Sequence, residues 1–254
     1  MDLTRPPIRL FHWMEEQPRL QPVTTVLRRL KHNLTLTLER RVWLVLLVDA
    51  FFIFVGSLEA LVEGAGMDRI LDRAVFLPSV LLLLPTLAGS VALERRAGSL
   101  DLALSAVSTE RYFLRRLFSL SALFAAQGAF LIALSYMETA GSDVLTWNRY
   151  TLPFLRAEFQ NLMLHAFLAC QVLFWCTRLR TSGGVWVMSL ITVGLFAGRL
   201  KVRSTWSVGF GDVVFGLSLP MLNWIWSMAV VGLATTIFYL YARERLRRPE
   251  TLLD

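Results

Sequence analysis

The chain has 254 residues, of which 55% are hydrophobic and 18% charged, with a mean hydropathy of +0.53 and a net charge of +7. A soluble domain carries about 25% charged and roughly 45–50% apolar residues. The apolar surplus lies here in long runs, which excludes an ordinary soluble globule, a disordered chain and a fibrous one.

Residues 1–21 contain Pro6, Pro7 and Pro18 among mixed charges and read as an irregular cytosolic tail. In 23–41, Val23, Val26, Leu27, Leu30, Leu34 and Leu38 recur at helical spacing, and Arg28, Arg29, Lys31, Arg40 and Arg41 take other faces or the end. A basic amphipathic helix just before an apolar run predicts a segment lying in the membrane interface, so 1–41 forms one unit and 42–254 a second.

A bilayer core of about 30 Å takes about 20 apolar helical residues. The runs that meet or approach this are 42–62, 74–93, 117–137, 159–177, 183–198 and 216–242. The expected fold is an all-α integral membrane protein with six transmembrane helices. With the N-terminus inside, the cytosolic pieces 1–41, 94–116, 178–182 and 243–254 carry 19 basic and 10 acidic residues. The outer loops 63–73, 138–158 and 199–215 carry 7 of each. This asymmetry follows the positive-inside rule and places both termini in the cytosol. It also accounts for the sequence pI of about 10.1 without a nucleic-acid partner. Arg199, Lys201 and Arg203 run against the rule. Together with the short fifth run and the glycines of Val208-Gly209-Phe210-Gly211, they predict a partly re-entrant outer segment, which needs shielding by protein or water.

Span one carries two carboxylates. Glu59 lies near its outer end, where it can reach the interface. Asp49 lies eight residues in, where a charge costs roughly 2.5–3.5 kcal/mol on the insertion scale and so faces protein or water. Asp49 reads either as a structural polar contact or as part of a hydrated pathway, with Glu59 the second pathway candidate.

Enzymatic chemistry has little to work with. His12, His32 and His165 are far apart, and no H-E-x-x-H, C-x-x-C or G-x-S-x-G spacing occurs. Cys170 and Cys176 lie about 240° apart around a helix and read as packing residues. No catalytic residue and no metal ligand is expected. Neither Lys31 nor Lys201 closes a Walker A loop, so any use of ATP falls to another chain.

The segment after span two is the most informative. Ser99 can cap a short helix with Asp101 near its positive end, and Leu100, Leu102 and Leu104 form a compact apolar knob. Ser108-Thr109-Glu110 reads as a second helix start feeding span three. An apolar knob flanked by Arg95 and Arg96 suits docking into a soluble partner; a loop tucked against headgroups is the other reading.

The stretch from Glu94 to Arg116 resembles the first cytosolic loop of ABC-2 type permeases, the membrane subunits of type V ABC exporters. Glu94-Arg95, Gly98-Ser99-Leu100-Asp101 and Leu102-Ala103-Leu104 match that pattern residue by residue. The chain departs from it in lacking a proline near Ala106 and in carrying Arg115-Arg116 where a lysine commonly stands. The resemblance implies a cytosolic coupling helix, with Glu94, Arg95, Arg96, Gly98, Ser99, Leu100, Asp101, Leu102 and Leu104 contacting separate ATPase subunits. Those subunits would bind ATP and Mg, this chain carrying no cofactor. It further implies a second permease copy or homologous permease as partner, surrounding membrane lipid, and a bacterial inner-membrane location. A noncatalytic membrane scaffold or assembly subunit is the rival expectation.

Overall fold

A computed structural model describes residues 47–48, 50–51, 71–96, 109–140, 144–179, 181–196, 200–203, 206–208 and 212–247. A π-helical turn, Asp72–Phe76, leads into α1, Leu77–Arg96. Then follow α2, Thr109–Ala140, α3, Val144–Cys176, and α4, Ser182–Phe196. Two short antiparallel strands, β1 (Leu200–Arg203) and β2 (Trp206–Val208), pair Leu200 with Val208 and Lys201 with Ser207. A 3-10 turn, Gly216–Ser218, precedes α5, Met221–Leu246.

Among the described residues, three stretches are long and apolar enough to cross a membrane: Phe113–Met137 in α2, Tyr150–Cys176 in α3, and Met221–Leu246 in α5. Leu77–Gly89 and Ser182–Phe196 are apolar but shorter. Among the described residues the chain is therefore mainly helical, apart from the small hairpin, and has the character of a membrane protein. Of span one, Leu47, Val48, Ala50 and Phe51 are helical; Asp49, Glu59 and the amphipathic stretch 23–41 lie outside the described residues.

Register shows how the helices run. Ser121 of α2 donates to the His165 carbonyl of α3, Asn161 donates to the Ala125 carbonyl, and the Tyr136 and Tyr150 rings meet edge-on at 6.1 Å. Residue numbers rise on α2 as they fall on α3, so the pair is antiparallel, as the short 141–143 connection requires. Between α3 and α5 the pairs are Gln160–Trp224, Phe174–Phe238 and Thr177–Arg245. Here both numbers rise together, so these helices are parallel. We call the end holding 141–143 the upper end and the end holding 177–181 the lower end.

α3 is the centre of the bundle. It packs against α1, α2, α4, α5 and the 3-10 turn. Leu164, Phe167, Leu168, Val172 and Leu173 are fully buried, as are Gln160, Asn161 and Gln171. A helix apolar around most of its circumference belongs in the interior. α2 buries one stripe, Phe113, Leu117, Leu120, Phe124, Ile132 and Tyr136, and leaves Phe130, Leu134 and Met137 exposed. α5 is more peripheral, with Leu222, Trp226, Leu233 and Leu240 exposed.

The helices differ from the expected spans at their ends. Span four was expected over 159–177, yet α3 begins at Val144, so most of the expected outer loop 138–158 is helix. Arg156 consequently sits on a membrane-class helix instead of in a loop. At about 1.5 Å per residue, α3 with its 33 residues reaches about 50 Å and outruns a bilayer core. α4, with 15 residues, covers only about 22 Å.

Candidate functional site

The shortness of α4 is made good by irregular chain. Phe196, its last residue, packs its ring on Phe167 of α3 and accepts a hydrogen bond from Val213 N at 2.9 Å. Asp212 N donates to Ser227 Oγ at 3.1 Å. Ser227 lies six residues past the start of α5, about 9 Å below its upper end. From that depth the chain climbs through Val213, Val214 and the 3-10 turn to Pro220, which precedes α5. Val213, Val214 and Leu217 are buried. Residues 212–219 are thus irregular, buried backbone beside the upper part of α5; 212–215 belong to the outer segment expected to be re-entrant, whereas 216–219 were expected to begin the sixth span, whose helix starts instead at Met221.

Non-helical backbone at membrane depth must have its N–H and C=O groups satisfied by protein or water, since each unsatisfied group costs several kcal/mol. The polar side chains here do this. Asp212 Oδ1 accepts from Phe215 N at 2.7 Å and tightens the turn. Asp72, buried in the π-helical turn, accepts from Leu217 N at 3.3 Å and from Gln160 Nε2 at 3.5 Å. Arg156 donates to the carbonyls of Gly216 at 3.0 Å and Leu219 at 2.6 Å. Its guanidinium also lies 5.1 Å from the Trp224 ring centre, a cation–π contact. Gln160 Oε1 accepts from Trp224 Nε1 at 2.9 Å.

Gly216 leaves room for the Gln160 amide. A Cβ there would meet Gln160 Oε1 at 2.7 Å, so a larger residue would displace the amide from this position. The next residue of α3 makes a similar contact on another side. Asn161 donates to the Ala125 carbonyl at 2.8 Å, while its Oδ1 lies 2.6 Å from where a Cβ on Gly128 would be. Consecutive amides thus tie the central helix to the re-entrant segment and to α2.

His165 lies one turn below Asn161 and is buried; its Nδ1 donates to the Asn161 carbonyl at 2.8 Å, which places the proton on that nitrogen. Among the described residues its Nε2 has no hydrogen-bond partner. The imidazole is thus hydrogen-bonded through one nitrogen to its own helix, while its backbone carbonyl accepts from Ser121 of α2. Cys170 and Cys176 are buried and unbridged.

The sequence-predicted site residues fall elsewhere. The backbone of Glu94, Arg95 and Arg96 closes α1, and Thr109 opens α2, matching the expected second helix start. Gly98, Ser99, Leu100, Asp101, Leu102 and Leu104 lie outside the described residues, as do Asp49 and Glu59. The structure instead brings together Asp72, Arg156, Gln160, Asp212, Trp224 and Ser227. Sequence reasoning placed Asp72, Arg156 and Asp212 in outer loops and assigned Gln160, Trp224 and Ser227 no part. The available signal was helical spacing: Arg156 and Gln160, like Asn161 and His165, stand four apart in a run that is otherwise mostly apolar, with Glu158 the exception. No family model, curated protein or solved structure matches the chain.

Proposed function

We propose that this chain is the membrane-spanning permease subunit of an ATP-driven exporter of the ABC-2 type. It forms part of the substrate path and couples to separate ATPase subunits through the loop 94–116. The observation that carries the reading is the sequence Glu94-Arg95 followed by Gly98-Ser99-Leu100-Asp101 and the leucine knob, set between the end of α1 and the start of α2. A short connection between two long helices can pass force from a docked subunit into both. The buried irregular segment at the opposite end of the bundle supports the same reading, because its side-chain bonds can be exchanged where helical backbone bonds cannot.

In this reading two permease chains enclose the path, with six spans each and termini in the cytosol of a bacterial inner membrane. ATP and Mg reside on the partner ATPases, and this chain performs no catalysis. Asp49 and Glu59 are the pathway candidates of span one. The test places charge where docking demands an apolar surface. L100D/L102D alters the loop and no apolar run, so insertion and expression persist. Burying an unpaired charge in the docking cleft costs several kcal/mol, so co-purification of a soluble ATPase falls at least tenfold. Undiminished co-purification removes the coupling role. Recovery of wild type only as an ATPase-free oligomer favours the scaffold.

A further inference from the structure

One side of α3 is closed in its lower half and open in its upper half. α2 packs on α3 where Ser121 meets His165 and Ala125 meets Asn161. α5 packs on another side, where Gly232 meets Met163 and Trp224 meets the Phe159 ring. At about 100° per residue, Leu155, Glu158, Leu162, Ala169 and Leu173 fall between these two flanks. Ala169 and Leu173 are fully buried, whereas Leu155 and Leu162 are 56% and 59% exposed.

Glu158 stands half-buried between the two exposed leucines. Its depth follows from α2. Ala125, the partner of Asn161, is the middle residue of the apolar stretch Phe113–Met137. Glu158 precedes Asn161 by three residues, so it lies about 5 Å above that level. A carboxylate at such depth must face protein or water. The Asn161 side chain hydrogen-bonds it, but among the described residues it has no ion-pair partner. Arg156 is two residues away yet about 200° round the helix, where it holds the Gly216 and Leu219 carbonyls. A second copy of the chain laid on this face brings no cation to this level. Arg115, Arg116, Arg243 and Arg245, the other basic residues of the three membrane-class stretches, all lie toward the lower end.

We propose that the open face of α3 binds an amphiphilic cation, its apolar body against Leu155 and Leu162 and its charged head on the Glu158 carboxylate, which Asn161 orients. The inference stands on the membrane character of the chain and does not depend on coupling to an ATPase.

The experiment uses the full chain in neutral detergent, with tritiated tetraphenylphosphonium as the probe in a scintillation proximity assay. Wild type binds it saturably; dodecylammonium displaces it, and dodecanol, of equal chain length, does not. Removing one member of a desolvated charge pair weakens binding at least about tenfold, which is the loss expected in E158Q. A dodecylammonium carrying a diazirine, photolysed on wild type, crosslinks to the 151–162 stretch of α3, which locates the site whether or not E158Q folds. Absence of saturable binding, undiminished binding by folded E158Q, or crosslinks confined to other segments overturns the site. Equal displacement by dodecanol overturns the cationic assignment.

Discussion

Gly128 and Asn161 face each other across the α2–α3 interface with too little space for a methyl group. A Cβ on residue 128 would lie 2.6 Å from Asn161 Oδ1 and 3.2 Å from Cγ. Gly128→Ala therefore displaces the amide and disturbs its bond to the Ala125 carbonyl. Overpacking of this kind costs typically about 1–3 kcal/mol. The expected outcome is a lower melting temperature for G128A in detergent. In a double-mutant cycle with N161A, the pair loses less than the sum of the two single losses, because the second change removes the obstruction. Strict additivity would show that the contact has no energetic weight. The helix propensity of alanine, which exceeds that of glycine by about 1 kcal/mol, works against the effect and makes a loss more telling.

At the scale of elements, the segment 212–219 is joined to the end of α4 by the Val213 N to Phe196 carbonyl bond. A 15-residue helix is too short to span a bilayer core alone, and the irregular chain beside its end is buried at Val213, Val214 and Leu217. Its carbonyls are held by Arg156, which reaches both Gly216 and Leu219. A hydrogen bond to a charged group contributes about 1.5–3 kcal/mol, so Arg156→Ala loosens this segment selectively. In a background without Cys170 and Cys176, a cysteine introduced as Ser218→Cys reacts faster with a maleimide in R156A than in wild type. Arg156→Lys gives an intermediate rate, since an ammonium cannot reproduce the planar fork. Equal rates in all three proteins would show that the arginine does not hold the segment. α5 lies alongside with much of its apolar surface exposed, the expected state of a helix that meets lipid.

For the whole molecule, alternation of direction is the controlling feature. α2 and α3 are antiparallel and α3 and α5 are parallel, so α4 must return the chain between them. If the lower end is cytosolic, as the arginine distribution predicts, Ser99 and Ser182 lie inside and Ser142 and Thr205 outside. Single cysteines at the first two positions, in a cysteine-free background, resist an impermeant thiol reagent in intact cells. Those at Ser142 and Thr205 react. Labelling at position 99 from outside reverses the orientation and removes the proposed docking surface from the cytosol.

Long apolar runs were sufficient by themselves to identify helical, membrane-class elements, because about 20 residues must bury their backbone bonds internally whatever their neighbours do. The break between α4 and α5 was legible for a similar local reason: a short apolar run followed by Gly209 and Gly211. Helix ends were less legible. Val144 to Glu158 contains Arg149, Arg156, Pro153 and Glu158, which hydropathy reads as loop, yet these residues extend α3. Tertiary contacts there give Arg156 two carbonyls and the Trp224 ring in place of water. Asp72 and Gln160 illustrate the same limit. They stand 88 residues apart, and only packing of the π-helical turn, α3 and the re-entrant segment brings them to one site. Local sequence marked the apolar helices, three of which are long and apolar enough to cross a membrane among the described residues. Which polar groups they carry in with them was decided by the fold, since a buried donor or acceptor is tolerated only where a distant part of the chain supplies its partner.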